Sequence, residues 1–225
     1  MLSEKYLSQN FGYLWKSWLP RLSQSSLTNL LDKTSDLAEI ALWEKPISTN
    51  VPSQLNDLIA EISFNSFSTS IEKGKPININ LPIVQKDIVH AIEKMRLIRG
   101  GSFDKKAITQ EMLADCIKIR NRLLTQFDKN FDEIRLNPLL RGFGKLASCH
   151  ADIIYKSNLI EVKSSKYPFR LKDFRQIFLY VFLCIENKIQ IEKMILINPR
   201  RGEKITFTVE DFCWHFAQNS VSKTM

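Results

Sequence analysis

The chain has 225 residues, 44% of them apolar and 25% charged, enough for one sizeable domain or a core domain with a helical extension. These proportions exclude collagen-like, disordered and disulfide-scaffold classes. Lys and Arg outnumber Asp and Glu by 32 to 24, a formal charge of +8, and glycine occurs only 7 times; a basic chain suits a polyanionic partner, although net charge speaks to association and not to fold.

The first residues, Met-Leu-Ser-Glu-Lys-Tyr, lack the basic stretch and apolar core of a secretory signal. The longest apolar run, Ile177 to Ile185, falls short of the roughly 20 residues that a membrane-spanning helix needs. Cys116, Cys149, Cys184 and Cys213 are widely spaced with no Cys-x-x-Cys pair. That spacing predicts reduced thiols in a cytoplasmic protein and argues against a zinc site.

Over the first 45 residues, Leu27, Leu30, Leu31, Leu37, Ile40 and Ala41 recur at helical spacing. Trp15 and Trp18, three apart, are expected on one buried face. Residues 46–54 read as a loop by their Pro, Ser and Asn content. A second helix is expected over 53–62, and residues 65–82 carry no clear period. Val84 to Arg99 reads as a helix ended by Gly100-Gly101. Lys106 to Phe127 reads as a long helix, with Ile108, Met112, Cys116, Ile119 and Leu123 on one stripe.

The pattern changes after Asp132. Ala151 to Lys156 and Leu159 to Ser164 read as strands. Phe169 to Glu186 reads as a helix, Lys193 to Asn198 and Lys204 to Val209 as strands, and a last helix begins near Glu210. Hairpin, helix and strand in that order predict an α/β fold, a mixed central sheet with a crossover helix. The expected division is a helical N-terminal region over 1–82 and a core domain over 83–225.

The informative stretch is Ala151 to Lys163. With Ser157-Asn158 as a two-residue turn, Asp152 falls opposite Lys163 and Ile154 opposite Glu161. Asp152, Glu161 and Lys163 then emerge on one face, with the two carboxylates diagonal neighbours about 7–8 Å apart. Ile153, Tyr155, Ile160 and Val162 take the other face. Glu-x-Lys on a strand is a common surface pair. Here both faces are largely apolar, and ionisable groups on such strands are costly unless paired or bound to metal. Two carboxylates suit Mg²⁺, which takes oxygen ligands and keeps several waters. Such an ion polarises a phosphodiester and acidifies a water it holds. Lys163 beside it would orient the nucleophile and offset charge developing at phosphorus.

Asp152, then Glu161-Val162-Lys163, then a helix carrying Gln176 and Tyr180 as Gln-x-x-x-Tyr, resembles the PD-(D/E)XK nuclease superfamily, in its RecB-like branch. The resemblance spans roughly residues 137–199, with Ala151 in place of the Pro of the family name. It implies a restriction-endonuclease-like core and Mg²⁺- or Mn²⁺-dependent cleavage of DNA, in genome defence or repair, with a helicase or other ATPase of those pathways as a partner. It assigns Asp152, Glu161 and the backbone carbonyl of Val162 to metal, and Lys163 to the nucleophilic water. Gln176 and Tyr180 would place substrate or the lysine. On the helix itself the two fall on a flank away from the core stripe. The branch often adds an upstream helical His, for which His90 is the candidate; others use a helical Glu, for which Glu111 is the candidate. The clustered cysteines of the iron–sulfur subgroup are missing from this sequence.

The positive excess is denser from Phe131 onward. Lys145, Lys166, Arg170 and Arg175 flank the motif and are the candidate phosphate contacts. Arg141-Gly142-Phe143-Gly144 reads as a tight turn entering the first strand, or as a loop admitting substrate backbone. The rival reading is a nucleic-acid-binding or assembly subunit that keeps the fold without cutting.

Overall fold

A computed structural model describes residues 1–32, 38–48, 51–52, 55–76, 82–99, 108–128 and 131–217. The N-terminal helices are α1 (Glu4–Gln9), α2 (Gly12–Trp18) and α3 (Gln24–Asp32). Strand β1 (Glu39–Leu42) precedes three longer helices, α4 (Asn56–Glu72), α5 (Pro82–Arg99) and α6 (Gln110–Leu124). Then come β2 (Ile134–Leu136), β3 (Leu139–Leu140), β4 (Cys149–His150), β5 (Ile153–Tyr155) and β6 (Asn158–Val162). The chain closes with α7 (Leu171–Glu186), β7 (Lys193–Asn198), β8 (Glu203–Thr208) and α8 (Val209–Ala217).

Six strands form one sheet in the order β1-β8-β7-β6-β5-β2, and β3 pairs with β4 apart from it. Only β6 and β7 run parallel within the six-stranded sheet. Helix α7 makes the crossover that a parallel pair requires. The fold is thus α/β, a mixed sheet with helices on both faces and helices ahead of it in the chain.

Alternation along the strands assigns the two faces. Ile154, Leu159, Met194, Leu196, Ile205 and Phe207 pack against α7, α8 and the N-terminal helices. Ile153, Tyr155, Ile160 and Ile197 pack against Phe67 and Ile71 of α4 and Leu123 of α6. A third cluster, including Ile59, Ile62, Ile92, Met95 and Met112, holds α4, α5 and α6 together. Two arginines tie that helical layer to the sheet. Arg200, fully buried after β7, stands 3.6 Å from Asp115 of α6. Arg122 donates to the carbonyls of Pro199 at 2.9 Å and Lys45 at 2.7 Å.

Two expectations are corrected. Ile40 and Ala41 lie in strand β1, paired with β8, and not in a helix; the open edge of β8 supplies backbone partners that outweigh a weak helical pattern. Residues 65–72, which have no clear period, continue α4. Their hydroxyl side chains mask the pattern because they bond the preceding turn: Ser70 Oγ donates to the Ser66 carbonyl at 2.7 Å and Thr69 Oγ1 to Asn65 at 3.0 Å. Gly100-Gly101 and the start of the long helix at Lys106 lie outside the described residues. Among the described residues no helix is long and apolar enough to cross a membrane.

Trp15 anchors the N-terminal helices onto α7. It is 1% exposed, its indole N–H donates to the Leu7 carbonyl at 2.8 Å, and its ring meets Phe178 edge-on. Trp18, by contrast, is 37% exposed, although its ring abuts Trp15. Replacing Trp15 by Ala is expected to cost about 3–5 kcal/mol and to lower the melting temperature by roughly 10 °C. Trp18→Ala is expected to cost less than half as much, which thermal denaturation of both variants checks.

Candidate active site

The hairpin turns one residue earlier than the spacing predicts. Tyr155 pairs with Asn158 and Ile153 with Ile160, so the turn is Lys156-Ser157, with Lys156 at a φ of 54°. Moving a turn by one residue moves each cross-strand pair by two, which keeps every side chain on its face. The face assignment therefore stands while the opposition changes. Continuing this register puts Asp152 directly across from Glu161 rather than diagonal to it. Asp152 Oδ2 accepts from the Val162 N–H at 2.7 Å, which fixes the carboxyl against β6.

From Glu161 a chain of hydrogen bonds crosses from β6 to α7. Lys163 Nζ donates to Glu161 Oε1 at 2.6 Å and to Gln176 Oε1 at 2.7 Å; Gln176 Nε2 then donates to the Tyr180 hydroxyl at 2.8 Å. Lysine only donates, so Gln176 must turn its oxygen to Lys163 and its amide to Tyr180. Asp173 stands 3.9 Å from Lys163 Nζ and accepts from the Arg170 N–H at 2.8 Å. One carboxylate thus caps α7 and holds the lysine. The flank of α7 that carries Gln176 and Tyr180 is the flank that reaches the motif.

Burial governs the charges. Desolvation and the Asp152 carboxyl push Glu161 up to about 8, against the pull of Lys163. Burial likewise raises Asp152, opposed by Lys163 and the Val162 N–H and helped by Glu61. Burial favours neutral Lys163, but Glu161, Asp173 and Asp152 together outweigh it and hold the ammonium above its usual range. The Tyr180 hydroxyl is raised by burial and by both carboxyls, so it stays protonated.

A cleft of about 550 Å³ opens at Asp152. Its sheet side carries Asn137, His150, Asp152, Val162 and Ser164; its helical side carries Asp57, Ala60, Glu61 and Phe64 of α4, with His90 and Lys94 of α5. His90 therefore faces the motif across the cleft. Glu111 does not line it; the helical glutamate found there is Glu61, which also pairs with Lys94 at 2.6 Å. The sequence carries a signal for Glu61. Asp57, Ala60, Glu61 and Phe64 recur at 0, 3, 4 and 7 on the side of α4 away from Leu58, Ile59 and Ile62.

The remaining candidates are distributed as follows. Lys166 and Arg170 are exposed beside the site, and both line a second trough next to Lys163. Lys145 is exposed on the turn between β3 and β4. Arg175 is engaged elsewhere: its guanidinium lies over Trp15 at 5.3 Å and reaches the Ser8 carbonyl at 3.5 Å. The turn before β4 is tight at Gly142, where a Cβ would strike the Leu146 carbonyl oxygen. His150 Nδ1 bonds the Asn137 carbonyl at 2.8 Å. The four cysteines are free and buried, and burial pushes each thiol up to about 12.

The donor set bears on which metal fits. Among the described residues no three His, Cys, Asp or Glu side chains are grouped to hold an ion. No donor reaches the buried Glu161 Oε2; its other oxygen is held by Lys163, and the carboxyl lies within hydrogen-bonding reach of Asp152. An orphaned carboxylate oxygen beside a second carboxyl fits a hard cation that takes one or two protein carboxylates and keeps its waters. Comparison of the chain with protein-family models, with curated proteins and with solved structures finds no match.

Because burial and the Asp152 carboxyl push the ion-free Glu161 carboxyl up to about 8, protons would compete with a cation for it. A raised carboxylate pKa leaves the charged form scarce below that value, so Mg²⁺ affinity is expected to fall by up to about tenfold per pH unit below 8. The rise in melting temperature on adding Mg²⁺ should shrink from pH 8 to pH 6 and vanish in Glu161→Gln. An equal rise in that variant would show that the ion binds elsewhere.

Proposed function

We propose that the protein is a metal-dependent nuclease that hydrolyses phosphodiester bonds in DNA, on a restriction-endonuclease-like core of the PD-(D/E)XK kind. One observation carries the reading: the chain Glu161, Lys163, Gln176, Tyr180, with Asp152 opposite Glu161, unites five separately chosen motif residues in one array. The topology supports it too, since an antiparallel hairpin, a crossover helix and a parallel strand follow one another at the motif.

Asp152, Glu161 and the Val162 carbonyl would hold Mg²⁺ or Mn²⁺. When bound, the ion supplies Lewis-acid polarisation of the phosphodiester and charge neutralisation. The residues themselves do the rest. Lys163 is held charged, so it serves as a hydrogen-bond donor and a fixed positive charge, not as a base. It would orient the attacking water and stabilise the extra negative charge on the phosphoryl oxygens. Water would add to phosphorus through its oxygen and release a proton to solvent, the phosphorus–oxygen ester bond would break, and the leaving oxygen would take a proton back from solvent, so that the elements of one water are divided between the two ends. Asp173 and Gln176 fix the lysine, and Tyr180 fixes Gln176; these are positioning residues. The rival reading, a DNA-binding or assembly subunit that does not cut, draws on the closeness of the Lys163–Glu161 pair, which satisfies the lysine without substrate.

Full-length protein incubated with DNA and Mg²⁺ or Mn²⁺ is expected to cut it, and EDTA to stop it. Asp152→Ala, Glu161→Ala and Lys163→Ala should each lower the rate by about 100-fold or more. Tyr180→Phe should lower it by less, through the turnover rate rather than the affinity. Cleavage unchanged in the first three variants would overturn the site. DNA binding without cleavage by any form would favour the rival.

A further inference from the structure

The second trough adjoins the first. It has a volume of about 440 Å³, runs from Lys163 along the loop between β6 and α7, and shares Asp57, Ala60, Val162 and Ser164 with the cleft at Asp152. Its outer wall carries Lys166, Tyr167, Arg170 and Lys172, and α4 forms the opposite wall.

We propose that this loop, residues 164–170, is a binding arm for an unpaired nucleic-acid strand, with the Tyr167 ring stacking on a base and Lys166 and Arg170 taking the flanking phosphates. Tyr167 is 55% exposed, high for an aromatic ring beside a cleft. Lys166 Nζ lies 5.3 Å from its ring centroid, so a cation already accompanies the aromatic face. The backbone beneath is pinned. Fully buried Asn198 donates from Nδ2 to the carbonyls of Ser165 at 2.8 Å and Tyr167 at 3.3 Å. Arg201 donates to the Lys166 carbonyl at 3.3 Å, and the Tyr167 N–H to Ser165 Oγ at 3.0 Å. Phe169, buried, anchors the end of the loop. A buried amide and an arginine thus hold the arm rigid while its two distinctive side chains face solvent. Such preorganisation lowers the ordering cost of binding.

The chemistry selects the strand. Cations along a groove track phosphates without regard to sequence, and an aromatic ring stacks on any base whose face is free. Within a duplex those faces are covered by neighbouring bases, so the ring gains nothing there. Lys172 adds to the demand for an anion: burial, and then Arg170 nearby, lower its affinity for its proton, and the charge of a phosphate would offset the Arg170 repulsion. A strand held in this trough leads directly to Asp152.

The inference rests on the nuclease reading only in taking nucleic acid as the ligand, and binding tests it apart from cutting. Fluorescence polarisation of a labelled single-stranded DNA oligonucleotide and its duplex, with the full chain in EDTA, is expected to show the single strand bound at least tenfold tighter. Tyr167→Ala should weaken single-strand binding by about 5- to 100-fold, with little change for the duplex and an unchanged melting temperature; Tyr167→Phe should restore it. Lys166→Glu should weaken binding and lower the slope of log affinity against log salt by about one or more. Equal affinity for duplex and single strand overturns the arm, as does wild-type binding by both Tyr167→Ala and Lys166→Glu. Binding as expected with no cleavage in Mg²⁺ would leave the arm and remove the nuclease; cleavage with binding indifferent to Tyr167 would do the reverse.

Discussion

The ammonium of Lys163 sits half-buried between the sheet and α7, and the neighbouring structure is arranged to keep it charged. A charge drawn even partly out of water is costly unless it is paired. Glu161 sits at 2.6 Å, Gln176 at 2.7 Å and Asp173 at 3.9 Å, so the lysine is met from its own strand and from two turns of the helix. The balance is uneven. Lys163 is well satisfied, while Glu161 keeps one buried oxygen that no donor reaches. A polar group left in that state is a standing cost to folding, and it is the point at which this array has capacity for something more.

The position of that array follows from topology. Glu161 and Val162 end β6, the strand that runs parallel to β7, and α7 starts just beyond. Open sheets with parallel strands gather ligands outside the carboxyl ends of those strands, where helix N-termini and loops converge. Here the hairpin partner β5 brings Asp152 to the same end, and α4 and α5 close the far side with Glu61, His90 and Lys94. Arg200 and Arg122 matter for this reason. They fasten α6, and with it α4, to the sheet, so the two walls of the cleft are parts of one body.

What the sequence revealed depended on which kind of information decides each element. Strand parity is local, so the shared face of Asp152, Glu161 and Lys163 could be read directly, and a misplaced turn did no harm because it moved pairs by two. Gln176 and Tyr180 are ambiguous on helical geometry alone; which flank of α7 meets β6 is set by packing of Phe174 against Phe207 of β8 and of Phe178 against Trp15 and Phe212, a tertiary fact. Strand β1 was hidden because four residues with Ile40 and Ala41 fit either period, and only the free edge of β8 decides between them. Residues 65–72 were hidden because serine and threonine carry no apolar signal. Glu61 lay within the segment read as helix, but a face becomes a cleft wall only when something stands across from it.

Charge links the two troughs. The chain's excess of +8 is not spread evenly over the site. The cleft at Asp152 collects Asp57, Glu61 and Asp152 against Lys94, whereas the adjoining trough, which shares Asp57 and adds Asp173, carries Lys163, Lys166, Arg170 and Lys172. A polyanion would be drawn to the second and repelled by the carboxylates of the first, and a cation at the carboxylates would remove that repulsion. On the proposed reading this makes the order of events a matter of electrostatics: the basic arm can hold a strand without metal, but the strand settles over Asp152 only once the acidic end has been neutralised. On that reading binding and cutting can be measured apart, since the residues that would attract the phosphates are not those whose charge would have to be balanced before the bond is reached.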